Sequence, residues 1–307
     1  MVYRLDRIKK GVAMVLADML CIFTPTYNRS YCLTDLYNSL AKQSMRCFNW
    51  LIVDDGSTDD TEELVSDLAE RASFRITYIK QPNGGKQRAW NTAVEACDSE
   101  LFMCVDSDDV VPSNLVATVF ERWPQVRGDN EIAGMIGLCG KDEKTALSGG
   151  MPSGVTRTTM WNLYYKYGHR GDTAQIYRTC VLREFPFEVE PGEKFIAETF
   201  VFHQIDQKYD LMVIDEVLIV RKYLEDGYTV NVRKITRNNP VGYLKLKRMY
   251  IGYADSVGLR FYETILYLVG CHFASWPHPV SSAPSTVLAA LAWLPAQILC
   301  HTVYRER

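Results

Sequence analysis

The stretch "WLIVDDGSTDDTEEL", residues 50–64, carries the chain from a strand into a helix. Its first four residues are bulky and apolar, as in a strand covered on both faces. Asp54 and Asp55 follow, Gly56 permits a tight turn, and a Ser/Thr/Asp run supplies a helix cap. Glu62 and Glu63 fall in the first helical turn, where the helix dipole favours acids. Much of this acidity is ordinary capping; Asp54 differs, because it sits at the strand tip before the turn.

The same rhythm surrounds it. "LCIFT" (20–24) leads to a helix from about Ser30, "RITYIK" (75–80) to a helix from about Lys86, and "LFMCV" (101–105) ends directly in the acids of "DSDD". The alternation predicts an α/β fold with an open, mostly parallel sheet flanked by helices. Ligands of such sheets collect outside the carboxyl ends of the strands, where each of these polar clusters falls. After residue 110 the pattern loosens into a short helix to Trp123, a strand over 133–140, a glycine-rich excursion at 147–155 and a helix over roughly Ile196 to Tyr209.

The chain has 307 residues, 47% of them hydrophobic and 23% charged, which is ample for a core. A formal net charge of -3 offers no global field for nucleic acid, so an acidic partner must be met locally. Nine cysteines, without a C-x-x-C pair, argue against a disulfide framework or a structural zinc site and fit a reducing cytosol. Residues 1–19 read as a leader or N-terminal extension that is not cleaved, with Met14 or Met19 as alternative starts.

Three clusters carry chemistry. "TPTYNRS" (24–30) offers an aromatic ring and amides at the first strand tip; with Asp54 it makes a kit for a flat heterocycle and its ribose. Pro25 is expected to stop regular structure there. "QPNGGKQR" (81–88) sets two glycines and a Lys at a strand-to-helix turn, where free N–H groups favour an anion through Lys86 or Arg88; the P-loop spacing is absent. "DSDD" places Asp106 and Asp108 two apart, on one side of an extended chain, where they can meet a divalent cation. An EF-hand is excluded, because its sixth position here is Val111.

Together "TPTYNR", "VDDGSTDDT", "GGK" and the D-x-D within "DSDD" resemble the family 2 glycosyltransferases, and the likeness runs over about residues 20–235. It implies a GT-A fold, a nucleotide-sugar half (20–110), an acceptor half (111–235), a nucleotide-sugar donor of the UDP-linked kind, a Mn or Mg ion and inversion at the anomeric carbon. It implies donor contacts by Thr24, Pro25, Tyr27, Arg29, Asp54, Asp55, Lys86, Asp106 and Asp108, with Asp106 and Asp108 at the metal. Glu198 is the expected general base, with Glu193 as its rival, because "AE" replaces the family's acidic pair. Asp172 and His169 are the acceptor-side candidates, and Arg170, Glu225 and Asp226 lie on the same half. The acceptor is expected to be a glycan or lipid-linked hydroxyl. The competing classes are a sugar-phosphate nucleotidyltransferase, which would carry a glycine-rich first loop where this chain has "TPTYNRS", and a membrane-attached module that binds nucleotide sugar without transferring it.

The remainder, 236–307, reads as a helical, apolar tail. No Asp, Glu, Lys or Arg occurs between Thr264 and Tyr304, and the chain then ends in "RER". Pro295, Gln297 and His301 weaken a spanning helix. A helix in the interface of the inner face of the cytoplasmic membrane and a buried packing helix remain as the two readings.

Overall fold

The computed structural model describes residues 3–7, 19–222 and 228–304. The rest of the expected leader, Glu225, Asp226 and the terminal "RER" lie outside the described residues. The chain divides into two compact units, residues 1–187 with 201–224 and residues 188–200 with 225–307.

The first unit is built on a nine-stranded sheet. In chain order its elements are β1 (Tyr3–Arg7), β2 (Leu20–Thr26), α1 (Ser30–Ala41), β3 (Phe48–Asp54), α2 (Thr61–Arg71), β4 (Arg75–Lys80), α3 (Lys86–Ala96), β5 (Leu101–Cys104) and α4 (Leu115–Arg122). There follow β6 (Ile132–Gly140), β7 (Arg157–Thr158), α5 (Met160–Tyr165), β8 (Thr173–Arg178), α6 (Thr179–Glu184), α7 (Thr199–Ile205) and β9 (Asp210–Val220). The strand order is β1-β4-β3-β2-β5-β8-β6-β9-β7. β4, β3, β2 and β5 pair in parallel, as the alternating sequence requires, while β8 runs antiparallel between β5 and β6. Every residue of β3 and β6 is buried, which is why neither strand alternates polar with apolar positions. Helices cover the sheet with apolar stripes; α1 buries Cys32, Leu33, Leu36 and Leu40.

Two expectations need correction. Pro25 does not end β2, which continues to Thr26 in register with Asp54. Thr26 accepts from Asp55 on the β3 side and Phe23 from Val105 on the β5 side, so by alternation the missing N–H of Pro25 points to the β5 side, past the last β2–β5 pair at Phe23 and Cys104. α7 is shorter than Ile196 to Tyr209. Downstream of it the Asp206 carboxylate accepts from the amides of Met160 and Trp161 and pairs with His203, anchoring the turn that leads into β9. Within residues 1–19, Tyr3–Arg7 pairs antiparallel with β4 and covers that edge of the sheet.

The second unit contains α8 (Tyr228–Asn238), α9 (Pro240–Tyr253), α10 (Val257–Phe273) and α11 (Thr286–His301). Ser256 and Ser285 cap α10 and α11 by accepting from Leu259 and Leu288. The core of this unit joins Leu244 and Ile251 with Tyr267, Val269, Ala292 and Ala296.

Candidate functional site

Loops at the carboxyl ends of β2 to β5 form the site, and they are tied to one another by side chains. The Asp55 carboxylate accepts from the Gln81 amide (2.7 Å) and from the backbone N–H groups of Gly84 (2.9 Å) and Gly85 (2.7 Å). Gly85, at a φ of 95°, adopts a conformation that other residues rarely reach. Asp54 accepts from the Tyr78 hydroxyl (2.5 Å) and the Ser57 amide (2.7 Å). Asn28 donates its backbone N–H to Ser57 and accepts from the Thr58 amide, both at 2.8 Å, and Ser30 donates to Asp59.

Three of the expected donor contacts lie deep within this network. Thr24 and Asp54 are 0% exposed and Asp55 is 4% exposed, so the carboxylates and hydroxyl expected to touch a nucleoside are inside the scaffold. Thr24 accepts from the Trp50 indole at 2.9 Å. Turn amides buried beneath a loop need acceptors, and these side chains supply them. Arg88 likewise turns back, donating to the Gly84 carbonyl at 2.6 Å. Tyr27, by contrast, stands 49% exposed at the tip of β2, with the partly exposed Pro25 before it.

A second group of side chains meets beyond β5. Lys86, the first residue of α3, lies 2.6 Å from Asp106, and Arg29 lies 3.0 Å from Asp108. Arg221 bridges Asp106 (3.2 Å) and Asp109 (2.6 Å), and the Lys222 amide donates to Asp109. Arg221 arrives because Val110 and Val220 exchange backbone hydrogen bonds of 3.1 and 2.8 Å, docking the end of β9 against the acidic turn. Sequence reasoning missed Arg221. Its signal was a basic pair directly after an apolar strand, but the strand's destination was not visible.

Burial alone would raise the Asp106 pKa; Lys86 and Arg221 outweigh it and hold the carboxyl well below its ordinary range. Burial pushes Asp109 up to about 7 against the pull of Arg221, with Asp106 adding repulsion. Burial also opposes the Arg221 charge, yet the facing aspartates keep that guanidinium charged. Among the described residues no three His, Cys, Asp or Glu side chains converge as a closed metal cage would. The carboxylate oxygens of Asp106 and Asp108 are hard donors of the kind a divalent cation takes alongside oxygens of a ligand. Asp106 and Asp108 are the residues able to hold one, each by exchanging a basic partner for the cation.

On the acceptor side the placements diverge. Asp172, 54% exposed, stands 4.0 Å from Arg221 and so borders the charged cluster. His169 is 8% exposed, packs edge-on against Tyr164 at 5.8 Å, and has its pKa lowered by burial. Arg170 is exposed. In the second unit Glu198 is half-buried in the turn before α7. Glu193, its rival, is 8% exposed and accepts from the Val241 (2.7 Å) and Gly242 (2.8 Å) amides at the start of α9, which makes it a helix cap.

The exposed ring of Tyr27 and the paired carboxylates and cations thus gather beyond the carboxyl ends of parallel strands, where ligands of open α/β sheets collect. The chain belongs to glycosyl transferase family 2, whose model matches residues 21–184. The poly(ribitol-phosphate) beta-N-acetylglucosaminyltransferase TarS of Staphylococcus aureus (strain Mu50 / ATCC 700699) is 26% identical over 181 residues, 56% of this chain and 30% of its own length. This chain thus spans under a third of that relative. A GalNAc(5)-diNAcBac-PP-undecaprenol beta-1,3-glucosyltransferase of Campylobacter jejuni is 23% identical over 242 residues, 75% of this chain and 73% of that protein. The fold matches S. aureus TarS 1-349 in complex with UDP-GlcNAc at a TM-score of 0.52 and 20% identity, over 90% of this chain and 79% of that one. It also matches the mannosyltransferase PcManGT of Pyrobaculum calidifontis, in complex with GDP-Man and Mn2+, at a TM-score of 0.55 and 17% identity, over 94% and 82%. These likenesses establish the GT-A fold.

Proposed function

We propose that this chain is an inverting glycosyltransferase that moves a sugar from a UDP-linked donor to a hydroxyl of a glycan or lipid-linked acceptor. The observation that carries the reading is the set of paired charges beyond β5, Arg29, Lys86 and Arg221 against Asp106, Asp108 and Asp109. A diphosphate with its cation is a ligand that can replace both members of such pairs. The UDP-GlcNAc and GDP-Man–Mn2+ complexes of structural neighbours, and the undecaprenol-linked substrate in the name of the Campylobacter relative, support donor, metal and acceptor class. The odd, unpatterned set of cysteines supports a cytoplasmic setting.

In this mechanism a bond forms between the acceptor oxygen and the anomeric carbon while the bond from that carbon to the diphosphate breaks. A carboxylate must take the acceptor's proton as its oxygen attacks, and Glu198 is the residue assigned to that task. Lys86 and Arg29 stabilise the negative charge that grows on the departing diphosphate. A divalent ion at Asp106 and Asp108 would add Lewis-acid neutralisation of the same charge. Tyr27 offers its exposed ring to the base.

Two measurements test this. Calorimetry should find UDP affinity strongly reduced by chelator in the parent and indifferent to chelator in Asp108→Ala; equal affinity with and without chelator in the parent removes the metal from the reading. Glu198→Gln should keep metal-dependent UDP binding while transfer falls by about a hundredfold or more. Near-parental turnover would move the base elsewhere, to Asp172 first.

A further inference from the structure

α11 has two opposite faces. Ala289, Ala292, Ala296 and Cys300 are buried, in one cluster with residues of α10. Val287, Leu291, Leu294 and Ile298 are 71, 65, 69 and 54% exposed. Spacings of four, three and four set these large aliphatics in one line along the helix. Trp293, 43% exposed, flanks the line. Soluble surfaces carry exposed apolar residues singly, so a continuous stripe marks a surface that meets something.

The charge around the stripe indicates what. The described residues of the second unit, 188–200 and 228–304, carry eight Lys or Arg against six Asp or Glu, none of them within α11; Lys245 pairs with Glu188 and Glu190 and Lys247 with Glu263, whereas Arg233, Lys234, Arg248 and Arg260 are exposed. Arginines bracket the helix. Arg248 of α9, exposed, donates to the Ser282 carbonyl in the loop before α11 at 3.4 Å. Arg237 of α8 donates to the Tyr304 carbonyl just past the end of α11, with its guanidinium 5.7 Å from the Phe273 ring. Arg233 and Lys234 add exposed charge on α8. An apolar line within a basic frame suits an anionic bilayer surface, where the stripe enters the acyl boundary and the cations stay among the headgroups. A second copy of this chain, meeting stripe to stripe, would bring frames of like charge together. Crossing the bilayer is a different matter: among the described residues no helix is long and apolar enough to span it.

We propose that α11 lies in the plane of an anionic lipid surface and attaches the second unit to it through Val287, Leu291, Leu294 and Ile298. The inference concerns attachment and stands apart from the sugar-transfer reading, so its test uses no turnover. The full chain is floated with phosphatidylcholine vesicles, either alone or with about a third of phosphatidylglycerol, in low and high salt. The expected result is flotation with the anionic vesicles, weaker with neutral vesicles or in high salt. Replacing both leucines, Leu291→Ser with Leu294→Ser, should lower the partition coefficient at least about tenfold. Both positions are exposed, so circular dichroism and UDP-induced thermal stabilisation should be unchanged. If that variant melts early, Val287→Ser alone serves, with a fall of about threefold or more. Three results overturn the proposal: failure to float, equal flotation of parent and variant, or a lipid-free dimer in sedimentation that the same substitutions dissolve.

Discussion

At the end of β3, Asp54 and Asp55 accept from a tyrosine hydroxyl, a glutamine amide and three backbone N–H groups. At the end of β5, Asp106, Asp108 and Asp109 face Lys86, Arg29 and Arg221. Both runs are acids placed directly after apolar strands, and both sit at the end of the sheet where ligands gather. What separates them is the partner. Neutral donors fixed in a loop cannot leave without unmaking it, whereas Asp106 and Asp108 are met by long basic side chains from other segments, which can exchange one partner for another; Asp109, 2% exposed and bound to the Lys222 amide, is held as Asp54 and Asp55 are. Asp54, Asp55 and Asp109 are thus tied to the scaffold, while Asp106 and Asp108 are tied to charges from other segments.

The sharpest way to break this contrast is to remove one acid from each run. Asp55→Ala leaves three buried or half-buried donors without their acceptor, and should cost about 3 kcal/mol or more in urea unfolding. A loss under about 1 kcal/mol would place Asp55 with Asp106 and Asp108. Asp108→Asn keeps an acceptor for Arg29, whose side chain is 20% exposed, and should cost less than Asp55→Ala by about 1 kcal/mol or more. An equal or larger loss there would tie Asp108 to the scaffold and erase the distinction.

The smallest effect concerns pH. His169 belongs to the packed side of the contrast, since burial lowers its pKa and favours the neutral ring. The unfolded chain then binds a proton near the ordinary histidine value, about 6.5, before the folded one does. Its contribution is fully present above that value and is lost as pH falls toward the folded pKa. Asp109, pushed up to about 7 in the fold, acts in the opposite sense over this range, so the His169 contribution is read as a difference: His169→Phe should raise the melting temperature at pH 5.5 relative to that at pH 7.5, compared with the parent. An unchanged slope would show that His169 titrates freely and is open to a ligand.

The parallel core was legible because β2, β3, β4 and β5 are apolar runs that each stop at a turn signal, and periodicity reports local burial directly. The positions of Asp106 and Asp108 just after β5 and of Lys86 at the start of α3 were legible for the same reason. The split between the two acidic runs was not, because it depends on partners brought from elsewhere: Tyr78 and Gly85 for one, Arg29 and Arg221 for the other. Arg221 reaches its place through the Val110–Val220 pairing, a contact between distant segments that no local pattern encodes. Glu193 and Glu198 illustrate the same limit within one segment. Both are acids near a helix, and only the amides of Val241 and Gly242 identify the first as a cap.

The side-chain ties between the loops have a thermodynamic consequence. Asn28 joins the loop after β2 to the loop after β3, and Asp55 joins that one to the glycine turn after β4. Three segments that would otherwise lose conformational entropy when a ligand arrives have lost it already, during folding. Association of any ligand at these loops should therefore resemble a rigid-receptor event, with little ordering of backbone and an on-rate set by encounter rather than by rearrangement.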